Sequence, residues 1–296
     1  MFLILATRSV MFDGLLEKAR SLRGVALMGV CNVTPDSFSD GGLHFSLEDA
    51  CARVDALFAE GADLVDIGAE STRPGALPVA PEEQLTRMLE VVRYAASRGA
   101  VSVDTTSSVV AAACLDAGAI VINDVSCLSD PSLADVAAGS RATLILMHAR
   151  GSQTAMAGFS EYPASGYGDV VVDVVREWNA AAERAMERGV LRTELVMDPG
   201  LGFSKNAGQS TDLLRRTRAL VELTSVPVLI GASRKSFLTV IDKGADPSRR
   251  IGASIAAALH AAQGGASLLR VHDVRATRQA LDTTRLLSTA PAGVAP

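Results

Sequence analysis

Asp104, Asn123 and Asp198, two carboxylates and an amide, each close a short apolar run in this chain of 296 residues. The acids supply acceptors and the amide both a donor and an acceptor. Such a set suits a flat heterocycle presenting adjacent N–H groups, because a carboxylate binds such an edge with both oxygens. The blander alternative is a layer of packed side chains with its polar groups satisfied, though charged residues are seldom buried without partners or purpose. Lys235, Arg270 and His272 form a complementary cluster toward the C-terminus. Cations placed there stabilise an anionic leaving group as its charge develops. An alternative for Arg270 is a simple pair with Asp273 or with a strand-end carboxylate, and Arg73, on an earlier loop, is a further cation that could join the cluster. Asn32 with Asp36 or Asp40 offers hard oxygens of the kind Mg²⁺ takes, one or two from protein and the rest from water and phosphate. A cap or turn role competes for each aspartate.

Other chemistries find less support. The glycines of DPGLGF (198–203) do not form a phosphate loop, and neither GxxxxGK[ST] nor GxGxxG occurs. A hydrolytic metal barrel built on His148, His272, Asp104 and Asp198 lacks a clustered ligand set, and a hydrogen-bonding role at the rim is expected for His148. No serine has a paired histidine and acid. The four cysteines, at 31, 51, 114 and 127, show neither CxxC spacing nor the density of a secreted scaffold. They predict a reducing cytoplasm, with Cys31 a small buried hydrophobe.

The elements that must position these residues are eight short apolar runs, each ending in or carrying a polar residue. They are Ala26 to Cys31 ending at Asn32, Leu64 to Gly68 around Asp66, Val101 to Val103 ending at Asp104, and Ile120 to Ile122 ending at Asn123. Leu144 to Met147 then leads to His148, Leu195 to Met197 to Asp198, Val228 to Gly231 to Arg234 and Lys235, and Leu268 to Val271 carries Arg270 before His272. Helix-length stretches separate them, which predicts a single (β/α)₈ TIM barrel, an α/β fold whose sites lie at the carboxyl ends of the strands. Glycines 61, 99, 118, 189 and 264 follow the amphipathic stretches as left-handed stops, while Ser46 with Asp49, Pro81 and Ser210 mark helix starts. Trp178 falls on the apolar face of the stretch 167–188 and is read as core.

The loops 32–46 and 69–81 are long and glycine- and proline-bearing, and they are expected to act as mobile lids over the strand ends. The segment 151–166 is either a third lid or a spacer. Residues 1–25 are expected to cap the barrel, with the opening MFLILA as a buried strand on its floor and too short for a signal peptide. Residues 289–296 read as a disordered tail. A chain 48% hydrophobic has ample core for one domain, whereas 4% aromatic content argues against stacking many bases. A net charge of −5 argues against a nonspecific nucleic-acid binder, and no apolar run approaches the roughly 20 residues that span a bilayer.

Taken together the motifs resemble dihydropteroate synthase, a pterin-binding family, over about Met28 to Val274. They stand in family order: GVCNVTPDSFSDGG at 29, DIGAESTRPGA at 66, SVDT at 102, VINDVS at 121, MHARG at 147, DPGLGFSK at 198, GASRKSF at 231 and RVHDV at 270. The resemblance implies condensation of 6-hydroxymethyl-7,8-dihydropterin diphosphate with para-aminobenzoate, with release of pyrophosphate, in a cytoplasmic homodimer that sulfonamides inhibit. It implies that Asp104, Asn123, Asp198, Lys235, Phe203 and Arg270 bind the pterin. Asn32, Arg270 and His272 would meet the diphosphate, Asn32 and Asp36 the Mg²⁺, and Phe38, Thr72, Arg73, Pro74 and Ser236 the para-aminobenzoate. Lys235, Arg270, His272 and Asp104 are the implied catalytic residues. Ala69, Ser204 and Cys127 stand where the family often has glycine. Two alternatives share the barrel and the pterin-edge residues: a corrinoid-dependent methyltransferase that uses methyltetrahydrofolate, and a pterin-binding paralogue without turnover.

Overall fold

The computed structural model describes residues 7–34, 46–70, 78–151 and 162–288. Its eight strands are β1 (Ala26–Asn32), β2 (Leu64–Gly68), β3 (Ala100–Asp104), β4 (Val121–Asp124), β5 (Thr143–Met147), β6 (Leu195–Asp198), β7 (Leu229–Ile230) and β8 (Leu268–Val271). They run parallel in the order β6-β5-β4-β3-β2-β1-β8-β7. A parallel bridge between Met197 and Val228, with Met197 N–H donating to Pro227 O at 2.9 Å, joins the two outer strands and closes the barrel.

Side-chain parity along these strands explains both the core and the site. Successive strand residues point to opposite faces. Val65 and Ile67, Val101 and Val103, Leu144 and Leu146, and Leu195 and Met197 point outward and pack in one large core with the surrounding helices. The alternate residues line the lumen, and at its floor these are apolar: Ala26, Met28, Leu64, Val121, Ile145, Val196, Leu229 and Leu268. Two residues further along β2, β3, β4, β6 and β8 the inward positions become Asp66, Ser102, Asn123, Asp198 and Arg270, with Asp104 a further two along β3. Polarity along the lumen is thus a property of strand parity.

The floor is closed by α1 (Thr7–Arg23), whose Phe12 and Ala19 are buried against the lumen residues, with Leu15 and Leu16 beside them. What plugs the barrel among the described residues is therefore a helix, and the strand expected at MFLILA lies outside them.

The remaining helices are α2 (Leu47–Glu60), α3 (Pro81–Ala96), α4 (Ser108–Asp116), α5 (Ser132–Ser140), α6 (Val170–Glu187), α7 (Ala207–Arg215), α8 (Thr217–Thr224), α9 (Ile251–Gln263) and α10 (Val274–Ser288). Ser46 caps α2 by accepting the Asp49 N–H at 3.0 Å, and Pro81 opens α3, as expected. Ser210 does not start a helix. Asn206 and Gln209 form a reciprocal capping box at the head of α7, which puts Ser210 inside the helix. Gly61, Gly118 and Gly189 are left-handed, but Gly99 and Gly264 are not, and the positive φ at the end of α9 belongs to Gly265. Trp178 is fully buried on α6 and donates its indole N–H to Leu146 O at 2.9 Å.

Candidate active site

Strand register brings the predicted acids and amide together. Asp66 pairs with Ser102, Gly68 with Asp104, Asp104 with Asn123 and Met147 with Asp198, so these residues share the upper layers of the lumen. Asp66 is fully buried; its Oδ2 accepts from Asn123 Nδ2 at 3.1 Å and from Arg270 Nε at 2.7 Å. The same guanidinium donates to Asp104 Oδ2 at 2.8 Å, so one arginine bridges two carboxylates across the mouth. The pairing of Arg270 is with the strand acids; Asp273 is taken by Arg234 in a two-point pair of 2.6 and 3.0 Å. Burial raises the pKa of Asp104, helped by the charge of Asp66 and opposed by Arg270. Asp66 Oδ1, Ser102 Oγ and Asn123 Oδ1 are buried without a hydrogen-bond partner among the described residues. Orphaned acceptors of this kind cost free energy until a ligand or water supplies donors.

Asp198 and Lys235 face one another on the other side. Burial raises the Asp198 pKa against the opposing pull of Lys235 and of the Gly200 N–H, which donates to its Oδ1 at 2.7 Å. Lys235 Nζ donates to Leu201 O at 2.6 Å and lies 4.7 Å from the centre of the Phe203 ring, a cation–π distance. Burial lowers its pKa to about 8, with Asp198 opposing and Arg270 assisting. Phe203, Met147 and Val125 form a small apolar wall at this end of the barrel.

The turn that presents Leu201 O and Phe203 is braced from behind. Gly200 has φ +66°, and a Cβ there would stand 2.1 Å from His148 O, so only glycine fits. Lys205 is fully buried and offers its ammonium to His148 Nδ1, Phe203 O and His148 O at 3.0, 2.9 and 3.3 Å. His148 Nε2 meets Glu177 at 3.0 Å, and Glu177 is paired with Arg150 at 2.5 Å. His148 is thus a buried strut under the β6 turn and not a rim residue; burial first, then the charge of Lys205, lowers its pKa to about 4.

His272 follows β8, its Nδ1 3.0 Å from Ser233 Oγ. Burial and the charges of Arg270 and Arg234 lower its pKa to about 3. It therefore enters the cluster at pH 7 as a neutral imidazole and not as a cation. The structure places Lys235 and Arg270 at the mouth with Asp104, Asn123, Asp198 and Phe203, and puts His272 one residue past β8. Asn32, half-buried, ends β1, and Ser236 opens the short helical turn after Lys235. Asp36, Phe38, Thr72, Arg73 and Pro74 lie outside the described residues.

Among the described residues no cluster of three or more His, Cys, Asp or Glu could hold a metal. Asn32, at the end of β1, offers one hard amide oxygen, a donor type that Mg²⁺ accepts alongside phosphate and water.

Of the departures from family glycines, Ala69 has no positive φ and carries no strain from being alanine. Ser204 and Cys127 do adopt the glycine-like conformation, at φ 49° and 59°. Ser204 Oγ accepts the Arg150 N–H and donates to Arg150 O, at 3.1 and 2.6 Å, while Asp124 holds the Cys127 turn through the N–H groups of Ser126 and Leu128.

Residues 28–272 match the model of the family described as pterin binding enzyme. The dihydropteroate synthase of Mycobacterium leprae is 43% identical over 88% of this chain and 93% of that protein. This chain belongs to the dihydropteroate synthase family of pterin-binding enzymes. The Escherichia coli K12 member is 40% identical, over 86% of this chain and 89% of its own length. Among solved members, Xanthomonas albilineans dihydropteroate synthase with 4-aminobenzoic acid superposes at a TM-score of 0.82, with 42% identity, covering 90% of this chain and 94% of that one. The same enzyme in complex with 7,8-dihydropteroate gives 0.78 at 39% identity, with 90% and 95% covered. The Yersinia pestis synthase in a sulfonamide drug complex gives 0.82 at 37% identity, with the same coverage.

Asp66 was visible as a mid-strand acid, but no role followed from that position alone. Its signal is parity: in LVDIG it shares the inward face with Leu64 and Gly68. Ser102, Met147 and Ser233 carry no comparable mark.

Proposed function

We propose that this chain condenses 6-hydroxymethyl-7,8-dihydropterin diphosphate with para-aminobenzoate to give 7,8-dihydropteroate and pyrophosphate. The observation that supports it most is the layer of inward polar groups on separate strands, Asp66, Asp104, Asn123, Asp198 and Arg270, with two orphaned acceptors and an apolar wall beside them. A flat, donor-edged heterocycle satisfies that layer, with Asp104, Asn123 and Asp198 on its N–H edge and Phe203 and Lys235 against it. Arg270 then exchanges its two carboxylates for the diphosphate and the face of the ring, and His272 adds a neutral donor to the phosphate.

The C–O bond to the diphosphate breaks, its electron pair leaves on the phosphate oxygen, and the pterin methylene carries the resulting cation. Developing negative charge on the leaving group is what Arg270 and Lys235 stabilise. The nitrogen lone pair of para-aminobenzoate attacks the methylene and the nitrogen then loses a proton. The amine is neutral at pH 7, so no strong general base is needed. Asn32, with Asp36, would hold a Mg²⁺, which when bound neutralises diphosphate charge. Ser236, with Phe38, Thr72, Arg73 and Pro74, is assigned to the para-aminobenzoate pocket, where a sulfonamide competes. A cytoplasmic homodimer joined through the outer helices belongs to the same reading; among the described residues, no helix is long and apolar enough to cross a membrane.

The test is pyrophosphate release and pteroate formation from the pterin diphosphate, Mg²⁺ and para-aminobenzoate. Wild type turns over, and Lys235→Ala and Asp198→Ala each lose at least about 100-fold in kcat/KM, about 2.7 kcal/mol. Wild-type binding of the pterin without turnover would sink the reaction and leave a binding paralogue or a methyltransferase.

A further inference from the structure

Ser233 and His272 meet at the ends of the β7 and β8 segments through two hydrogen bonds to one oxygen. Ser233 Oγ accepts the backbone N–H of His272 at 3.2 Å, and the same oxygen lies 3.0 Å from His272 Nδ1. Ser233 is 8% exposed, and its hydroxyl makes no other hydrogen bond among the described residues. A hydroxyl carries one proton and two lone pairs. One lone pair is used by the His272 N–H, and the proton has Nδ1 as its acceptor. Were the ring proton on Nδ1 instead, Oγ would face two donors and the buried hydroxyl proton would have no partner.

Around the ring the charge is mostly positive. Arg270 lies two residues back, Arg234 is paired with Asp273, and Arg53 donates to the His272 carbonyl at 3.0 Å while lying 3.6 Å from Glu60. The imidazole stays neutral in this setting, so what it offers a ligand depends on which nitrogen carries its single proton.

We infer that Ser233 is a positioning residue that fixes His272 as the Nε2–H tautomer, turning a donor rather than a lone pair toward an incoming phosphoryl oxygen. The inference rests on the proposed reaction for its consequence, but not for the tautomer itself. A lone pair at Nε2 would repel an anionic oxygen where a donor attracts it. The Ser233 hydroxyl holds the ring in the attracting form before any ligand binds, so binding does not have to reorder it.

The experiment is long-range ¹H–¹⁵N correlation on ring-labelled protein. With four histidines in the chain, His272 is assigned by comparison with His272→Gln. Wild type without ligand should show His272 Nδ1 unprotonated and Nε2 protonated, unchanged between about pH 6 and pH 8. In Ser233→Ala the two nitrogens should move toward averaged shifts, and calorimetric affinity for pyrophosphate with Mg²⁺ should fall roughly 2- to 10-fold, the worth of one hydrogen bond. KM for the pterin diphosphate should rise by a similar factor while KM for para-aminobenzoate stays put, and Ser233→Thr, which keeps the hydroxyl, should restore the shifts. A protonated Nδ1 in wild type, or Ser233→Ala shifts identical to wild type, would overturn the inference. An Nε2–H ring in a protein that shows no turnover would support the inference and count against the reaction alone.

Discussion

Replacing Arg270 with methionine keeps most of the side-chain stem and removes the one cation that Asp66 and Asp104 share. The two bonds lost are 2.7 and 2.8 Å long, and the acids are 0% and 7% exposed on their side chains. Removing one partner of a buried pair costs about 3–5 kcal/mol, because the other charge is left without compensation. Arg270 itself is 21% exposed, which admits water and places the expectation at the lower end, about 3 kcal/mol. For a chain of this size that is a fall in Tm of roughly 5 °C.

The sign of the pH dependence follows from which state binds the proton. Asp104 already has its pKa raised by burial, and loss of Arg270 removes the main influence that lowers it. The folded variant then binds more protons than the unfolded chain above the ordinary carboxylate range, so its stability falls as pH rises. Urea unfolding of Arg270→Met should therefore show a deficit of about 3 kcal/mol at pH 8 that shrinks toward pH 5. Adding Asp104→Asn should recover roughly half of it at pH 8 by removing one stranded charge. A deficit equal at both pH values, or untouched by the second substitution, would refute the shared-cation account of the mouth.

His148 is the reverse case: its pKa is lowered from 6.5 to about 4, so the unfolded chain binds the extra proton and stability is lost as pH falls between those values, by on the order of 3 kcal/mol. His148→Gln should make that limb of the pH–stability curve shallower, with His272 supplying the remainder, and an unchanged limb would assign it to other groups. Ser204→Ala keeps a left-handed backbone and loses the two hydrogen bonds to Arg150, costing about 2 kcal/mol. Ser204→Gly loses the same bonds but regains about 1 kcal/mol of backbone strain, so its denaturation midpoint should lie above that of the alanine variant. The opposite order would mean that the left-handed backbone at this position holds no strain for glycine to relieve.

The barrel was legible because each strand is short and bounded by polar residues. The runs ending at Asp104 and Asp198 match β3 and β6 at their carboxyl ends, and the strand at 268–271 matches to the residue. Strand ends are the part of such a fold where polarity has no structural reason, so Asp104, Asn123, Asp198 and Arg270 could be read directly. Asp66 was harder, because a single acid within a five-residue apolar run has an inward face only once its register against Ser102 is known. Lys205 and His148 were out of reach for a different reason. Their contact joins residues 57 apart in sequence, and nothing local distinguishes a lysine that holds a turn from one that faces water. The start of α7 was a local error of competing signals. Asn206 with Gln209 and Ser210 are all capping types, and only the reciprocal pair satisfies two backbone N–H groups at once.

Charge balance in the mouth ties these residues to the proposed reaction. Three buried acids, Asp66, Asp104 and Asp198, face two cations, Lys235 and Arg270, and burial raises the pKa of both Asp104 and Asp198 against those cations. Arg270 cannot leave Asp66 and Asp104 for a diphosphate unless something else donates to them. A heterocycle with adjacent N–H groups is such a donor, and its own diphosphate is the replacement acceptor for the guanidinium. The two halves of one molecule thus complete an exchange that neither half completes alone. A pterin lacking the diphosphate leaves Arg270 competing with the ring for Asp104, and free pyrophosphate draws Arg270 away from acids that then lack donors. On this account the intact substrate binds more tightly than the separate affinities of its parts would add up to, and the excess is carried by Arg270.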